Sequence, residues 1–156
     1  MRVVVNTSPL IALDRIGQLG LLKRLYGEVV RPQSVLDELL AGVDQHPGSM
    51  DLLEAQWIKT EPDPLETVMR RELGAGETAA IALAMRSGAD LVVLDDLQAR
   101  LVAGALGLRV TGTLGVLIAA HQSGLLFDLA GCLRHLREAG FRLPTCLVEQ
   151  YGVSSE

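Results

Sequence analysis

Aromatic side chains are scarce. The 156 residues include one tryptophan, two tyrosines and two phenylalanines. A core must therefore be built from Leu, Val, Ile and Ala, and with 49% apolar residues there is enough of this material for one domain. Lysine is nearly missing: Lys23 and Lys59 stand alone, the other basic residues are arginines, and the net charge is −5. That balance excludes a protein that grips nucleic acid by bulk electrostatics, because phosphate neutralisation supplies most of that affinity. Any such contact needs a local arginine cluster or bound cations. Arginine suits bidentate phosphate contacts, although a GC-rich genome produces the same bias. The two cysteines, Cys132 and Cys146, have no CxxC spacing, so free thiols in a reducing cytoplasm are expected. No apolar run approaches the roughly 18 residues a membrane span needs. Arg2-Val3-Val4-Val5 runs straight into Asn6, so no leader peptide is expected. GxGxxG, a Walker lysine, HExxH and GxSxG are all missing, and Gly112-Thr113-Leu114-Gly115 is only a GxxG. His46, His121 and His135 lie too far apart in sequence to suggest a cluster. A phosphoacceptor receiver would need an acidic pair after the first strand and a late strand-end lysine, and neither is present.

What is there is an alternation of short apolar strands and helices. Val3-Val4-Val5 reads as a buried strand, followed by a helix with Ser8 as N-cap and Pro9 at its first position. A second helix spans 19–26, a strand 28–30, and a helix opened by Pro32 carries Val35, Leu36, Leu39 and Leu40 on its apolar face. A polar turn over 42–48, a short helix over 50–55 and a weak edge strand over 57–60 come next. Gly74-Ala75-Gly76 precedes a helix over 77–87, and Leu91 to Leu94 is the plainest strand. A helix over 97–106, a strand over 108–110, helices over 114–122 and 129–139, and a short segment after Pro144 complete the chain. Strands of this kind, alternating with helices, predict an α/β fold: a single domain with a mostly parallel sheet covered on both faces.

In open parallel sheets ligands bind beyond the carboxyl ends of the strands. Asn6 ends the first strand and Asp95-Asp96 ends the strand over 91–94, while Glu77 opens the preceding helix and Glu38 lies on the helix after the second strand. Two carboxylates about 4 Å apart repel by about 4 kcal/mol at an effective dielectric of about 20, so such a group stays ionised only around a cation. Oxygen donors select Mg²⁺ or Mn²⁺, ions that support phosphodiester hydrolysis. Each residue also has a structural reading: Glu77 favouring the helix dipole, Asp95 or Asp96 as an N-cap, Glu38 on a solvated face, Asn6 as a turn residue.

These residues sit in familiar segments. Val3 to Ile11, with Asn6-Thr7-Ser8-Pro9-Leu10-Ile11, resembles the opening strand and turn of PIN domains. Pro32 to Leu39, Gly76-Glu77-Thr78-Ala79-Ala80, Leu94-Asp95-Asp96 with Ala99-Arg100, and Gly112-Thr113-Leu114-Gly115 resemble the motifs that follow in that family. The set resembles a prokaryotic PIN-like branch with NTSPLI, GE and LDD motifs, related to the VapC-type toxin ribonucleases. The resemblance implies a three-layer α/β/α sandwich of RNase-like type and cleavage of RNA dependent on Mg²⁺ or Mn²⁺. It implies metal ligation by Glu38, Glu77 and Asp95, with Asp96 in support or on a second ion. Thr113 would cap the last site helix or touch a substrate phosphate. A toxin role, a small antitoxin protein as partner and a homodimer are implied as well. PIN nucleases typically end the first strand with Asp, where this chain has Asn6, so weaker metal binding is expected.

Arg15, Arg100 and Arg109 are the arginines expected near strand ends, and Arg70-Arg71 is a local basic pair. The helix over 114–122 and Leu125-Leu126-Phe127 offer either core packing or a partner surface. The alternative to a ribonuclease is a catalytically weak PIN scaffold that binds RNA or a protein without cutting.

Overall fold

Strand β1 (Arg2–Val5) is apolar on both sides because it is covered on both sides. Val3 and Val5 enter one hydrophobic cluster and Val4 enters another, as the two-residue period of a strand requires. The computed structural model describes residues 1–42, 52, 55–64 and 73–152. In it β1 is the centre of a five-stranded, all-parallel sheet with β2 (Glu28–Pro32), β3 (Ile58–Glu61), β4 (Leu91–Val93) and β5 (Val110–Thr111), in the order β3-β2-β1-β4-β5. Val3 pairs with Val29 on one side and with Leu91 on the other. Chain order therefore runs outward in opposite directions from the seam between β1 and β4.

Eight helices are present among the described residues: α1 (Thr7–Arg15), α2 (Leu21–Tyr26), α3 (Gln33–Ala41), α4 (Ala75–Ser87), α5 (Leu97–Ala105), α6 (Thr113–Gln122), α7 (Leu129–Glu138) and α8 (Thr145–Gln150). Buried residues of α1, α2, α3, α6 and α7 join Val3, Val5, Val29 and Val93 on one face. Helices α4 and α5 close the other face, where Ala80, Ala84, Ala99 and Ala103 lie against Val4, Val30 and Val92. The three-layer α/β/α arrangement expected from the sequence is the one found. Short alanine side chains let these two helices approach the sheet closely, and fully buried leucines such as Leu10, Leu13, Leu117 and Leu133 contribute about 1.5–3 kcal/mol each.

Several boundaries differ from the sequence reading. The cap of α1 is Asn6, with extended backbone, rather than Ser8. Pro9 is the third helical residue, where its missing N–H is still one of the unpaired first four and costs nothing. Leu40 is 53% exposed, because α3 buries only Val35 and Leu39 fully. Strand β2 runs on through Arg31, which is buried, donates from Nε to Thr60 at 3.0 Å and has its pKa lowered by burial. The strand over 57–60 is indeed at the sheet edge, shifted by one residue. Helix α4 starts at Ala75, so Gly76 and Glu77 lie in its first turn, and Gly88 ends it at φ 63. Helix α8 was not anticipated. The turn over 42–48, the helix over 50–55, Arg70-Arg71 and His46 fall wholly or largely outside the described residues. Helix α6 buries Val116, Leu117 and Ala120, which gives core packing to the stretch also considered as a partner surface, while Phe127 stands 90% exposed.

Candidate active site

The seam between β1 and β4 is the point of the sheet where the direction of winding reverses, and a crevice beyond its carboxyl end is where parallel sheets bind ligands. Asn6 leaves β1 there, and its backbone N–H donates to Val93 O at 3.1 Å, extending the ladder by one step. Its side chain is buried, and Oδ1 has no hydrogen-bond partner among the described residues. A buried amide oxygen without a donor costs free energy that a ligand could recover.

Glu38 reaches the same place from α3. Its carboxylate accepts from Thr7 Oγ1 of α1 at 2.5 Å and from the Gly76 N–H of α4 at 2.9 Å, which ties three helices together. Gly76 has to be glycine for this approach: a Cβ would stand 2.7 Å from both carboxylate oxygens. Glu77 accepts from the Gly74 N–H at 3.1 Å, the half of a capping box that a glycine N-cap permits. Asn6, Glu38, Glu77 and Arg15 line one cleft of about 350 Å³, with Phe141 as part of its wall.

Asp95 lies two residues past β4, the strand next to β1. Both its oxygens are engaged by Thr113, the first residue of α6: the backbone N–H at 2.7 Å and Oγ1 at 2.6 Å. Gly112 allows that turn to close, since a Cβ would stand 2.8 Å from Asp95 Oδ1. Thr113 therefore positions Asp95, and the N-cap of α6 is Gly112. Asp95, Thr113 and Arg100 line a second cleft of about 440 Å³, which also has Phe141 in its wall. Asp96 lines neither cleft: it is the N-cap of α5 and accepts from the Ala99 N–H at 2.9 Å.

The structure thus gathers Asn6, Glu38 and Glu77 in one cleft and puts Asp95 in the adjoining one. Among the described residues no three His, Cys, Asp or Glu side chains are close enough together to hold a metal ion by themselves. Arg109 is misplaced by the sequence reading. It precedes β5, at the amino ends of the strands, where its charge acts on Tyr26 at the end of α2. Four residues of this region were not singled out as site residues from the sequence. Thr7 and Gly76 carry Glu38, and the signal for them was their place inside the NTSP and GE segments. Phe141 and Arg142 had no motif, only the rarity of phenylalanine.

A family model described as DUF3368, a PIN domain, matches residues 2–153. The chain belongs to the PIN-domain family. No curated protein and no solved structure matches significantly. PIN domains are in general nucleases that act on nucleic acid with divalent metal ions, and this PIN domain has the nuclease-like fold to match. No helix among the described residues is long and apolar enough to cross a membrane.

Proposed function

We propose that this PIN domain is a metal-dependent endoribonuclease whose centre is the crevice between β1 and β4. The observation that carries the reading is the buried Oδ1 of Asn6, without a hydrogen-bond partner among the described residues, in one cleft with two carboxylates. The donor set is oxygen only, which fits Mg²⁺ or Mn²⁺. Magnesium commonly keeps several waters and takes one or two carboxylates besides, so two acids and an amide suit it without a cluster of three. Glu38, Glu77 and Asn6 would hold the ion, and Asp95 would complete the set from the adjoining strand end. Asp96 is committed to the cap of α5 and stands outside it. When bound, the ion activates a water and offsets charge on the phosphodiester.

The chain's own residues do the rest. Thr7 and Gly76 fix the Glu38 carboxylate, and Thr113 fixes Asp95, so neither acid has to be ordered when RNA arrives. Arg15 lines one cleft and Arg100 the other, and in this reading they are the groups that hold phosphates in a protein whose net charge is −5. Cleavage of RNA in Mn²⁺ should fall by at least about a hundred-fold in Asp95→Ala and in Glu38→Ala, in line with losses on removing stabilising groups at such centres. Activity that survives both changes would be contamination and would end the reading.

A toxin role, with a small antitoxin protein or a second copy of the chain as partner, belongs to the same proposal and is supported by the family resemblance. The exposed Leu97 and Leu101 on α5, with Leu106 just beyond it, offer such a partner an apolar surface. The second reading, a scaffold that binds RNA without cutting, is favoured by the neutral side chain at position 6. In that case RNA binds and no cleavage appears in either metal.

A further inference from the structure

The two clefts share one aromatic wall, and no acid or arginine at the crevice explains it. Phe141 follows α7. Gly140, at φ 99, turns the chain, and the Phe141 N–H returns to Leu136 O at 3.0 Å, so the backbone under the ring is fixed. The ring is half-buried and packs against the cluster that covers the β1 face. Phe141 lines both the cleft of Asn6, Glu38 and Glu77 and the cleft of Asp95, Arg100 and Arg142. Arg100 and Arg142 are exposed and both line the second cleft. The chain's other phenylalanine, Phe127, lines neither cleft.

We propose that Phe141 is the platform on which one unpaired base of the RNA stacks, and that Arg142 with Arg100 holds a flanking phosphate. The inference rests on the ribonuclease reading of the crevice and specifies how the strand lies across it. An aromatic face accepts any base, and guanidinium groups track the backbone, the combination by which proteins hold single strands without reading their sequence. A base inside a duplex has no free face, so the platform selects unpaired RNA. In an acidic protein these few local cations must carry the phosphate contacts.

The test is binding without metal, in chelator, of a short single-stranded RNA with one 2-aminopurine, followed by anisotropy and by quenching of the 2-aminopurine on stacking. A hairpin stem of the same length is the paired control. Phe141→Leu keeps the apolar packing and should weaken single-strand binding about ten-fold and abolish the quenching. Phe141→Trp should restore both. Arg142→Ala should weaken binding and lower the salt slope by about one. Equal affinity and quenching for Phe141→Leu and the parent would overturn the proposal, as would equal affinity of the parent for stem and single strand, or failure of Phe141→Trp to restore either signal. Because no metal is present, binding reports on the platform, while loss of cleavage in Asp95→Ala reports on the chemistry. A parent that binds and stacks the strand but never cuts it would retain the platform and refute the nuclease.

Discussion

At the scale of single residues, Gly76 and Asn6 make the sharpest expectations. Gly76→Ala places a methyl group 2.7 Å from both Glu38 oxygens. What gives is the end of a flexible side chain, not backbone, and alanine is the better helix former by about 1 kcal/mol. The folded state should therefore keep its stability to within about 1 kcal/mol, while Mn²⁺ affinity falls about 10–100-fold because Glu38 is displaced from its two donors. Thermal melting and calorimetry check the two halves separately, and unaltered metal affinity would remove Glu38 from the ion's surroundings. Asn6→Asp adds a charge where the unpartnered oxygen lies. Calorimetry should show a gain of about ten-fold or more in Mn²⁺ affinity, and no gain would mean that position 6 faces away from the ion. Asp95 and Glu77 stood out in the sequence because they sit at a strand end and a helix start, whereas Glu38, in the middle of α3, stood out only through the Pro32 to Leu39 segment. The supports of Glu38 did not stand out, because a threonine hydroxyl or a glycine N–H takes its role from three-dimensional proximity: Thr7 and Gly76 meet Glu38 only when α1, α3 and α4 are packed.

At the scale of elements, α7 and α8 set up a contrast in thiol chemistry. Cys132 lies on the buried stripe of α7 with Leu129, Leu133 and Leu136, and its pKa is raised first by burial and then by the charge of Asp128, the residue that caps the helix. Cys146 is exposed on α8. A disulfide reagent at neutral pH should titrate one thiol quickly, and Cys146→Ser should abolish that fast phase. The second thiol should react only as the protein unfolds, since the thiolate is the reactive species and burial suppresses it. Two fast thiols in the folded protein would show that α7 is not seated as described. Periodicity made α7 readable to within one residue. It failed for α8, whose six residues bury no side chain fully and so leave no apolar repeat to find.

At the scale of the whole molecule, the apolar strands and intervening helices were enough to specify a parallel sheet, and the sequence placed β3 at its edge. The rim each arginine occupies was harder to read. Arg109 lies one residue before β5, and the amino ends of the strands are the opposite side of the molecule from the crevice. Tyr26 marks that far rim. Its pKa is raised by burial, against a smaller lowering by Arg109. A folded value above the unfolded one of about 10 means that the phenol's contribution to stability is full below that pH and is lost as pH rises through the folded value. The melting temperature should decline above about pH 10, and Tyr26→Phe should decline less steeply. A parallel decline in the two proteins would place the alkaline sensitivity elsewhere.

The neighbours of β1 have a consequence for synthesis on the ribosome. One of them, β2, follows within a few tens of residues, but the other, β4, emerges only after more than half of the chain has been made. Until then one long flank of the central strand lacks its mate, a state in which nascent proteins associate wrongly. For the same interval β1, which leads into Asn6, lacks the strand that leads to Asp95. The crevice between β1 and β4 is therefore completed in a single step, when the second half of the sheet docks on the first.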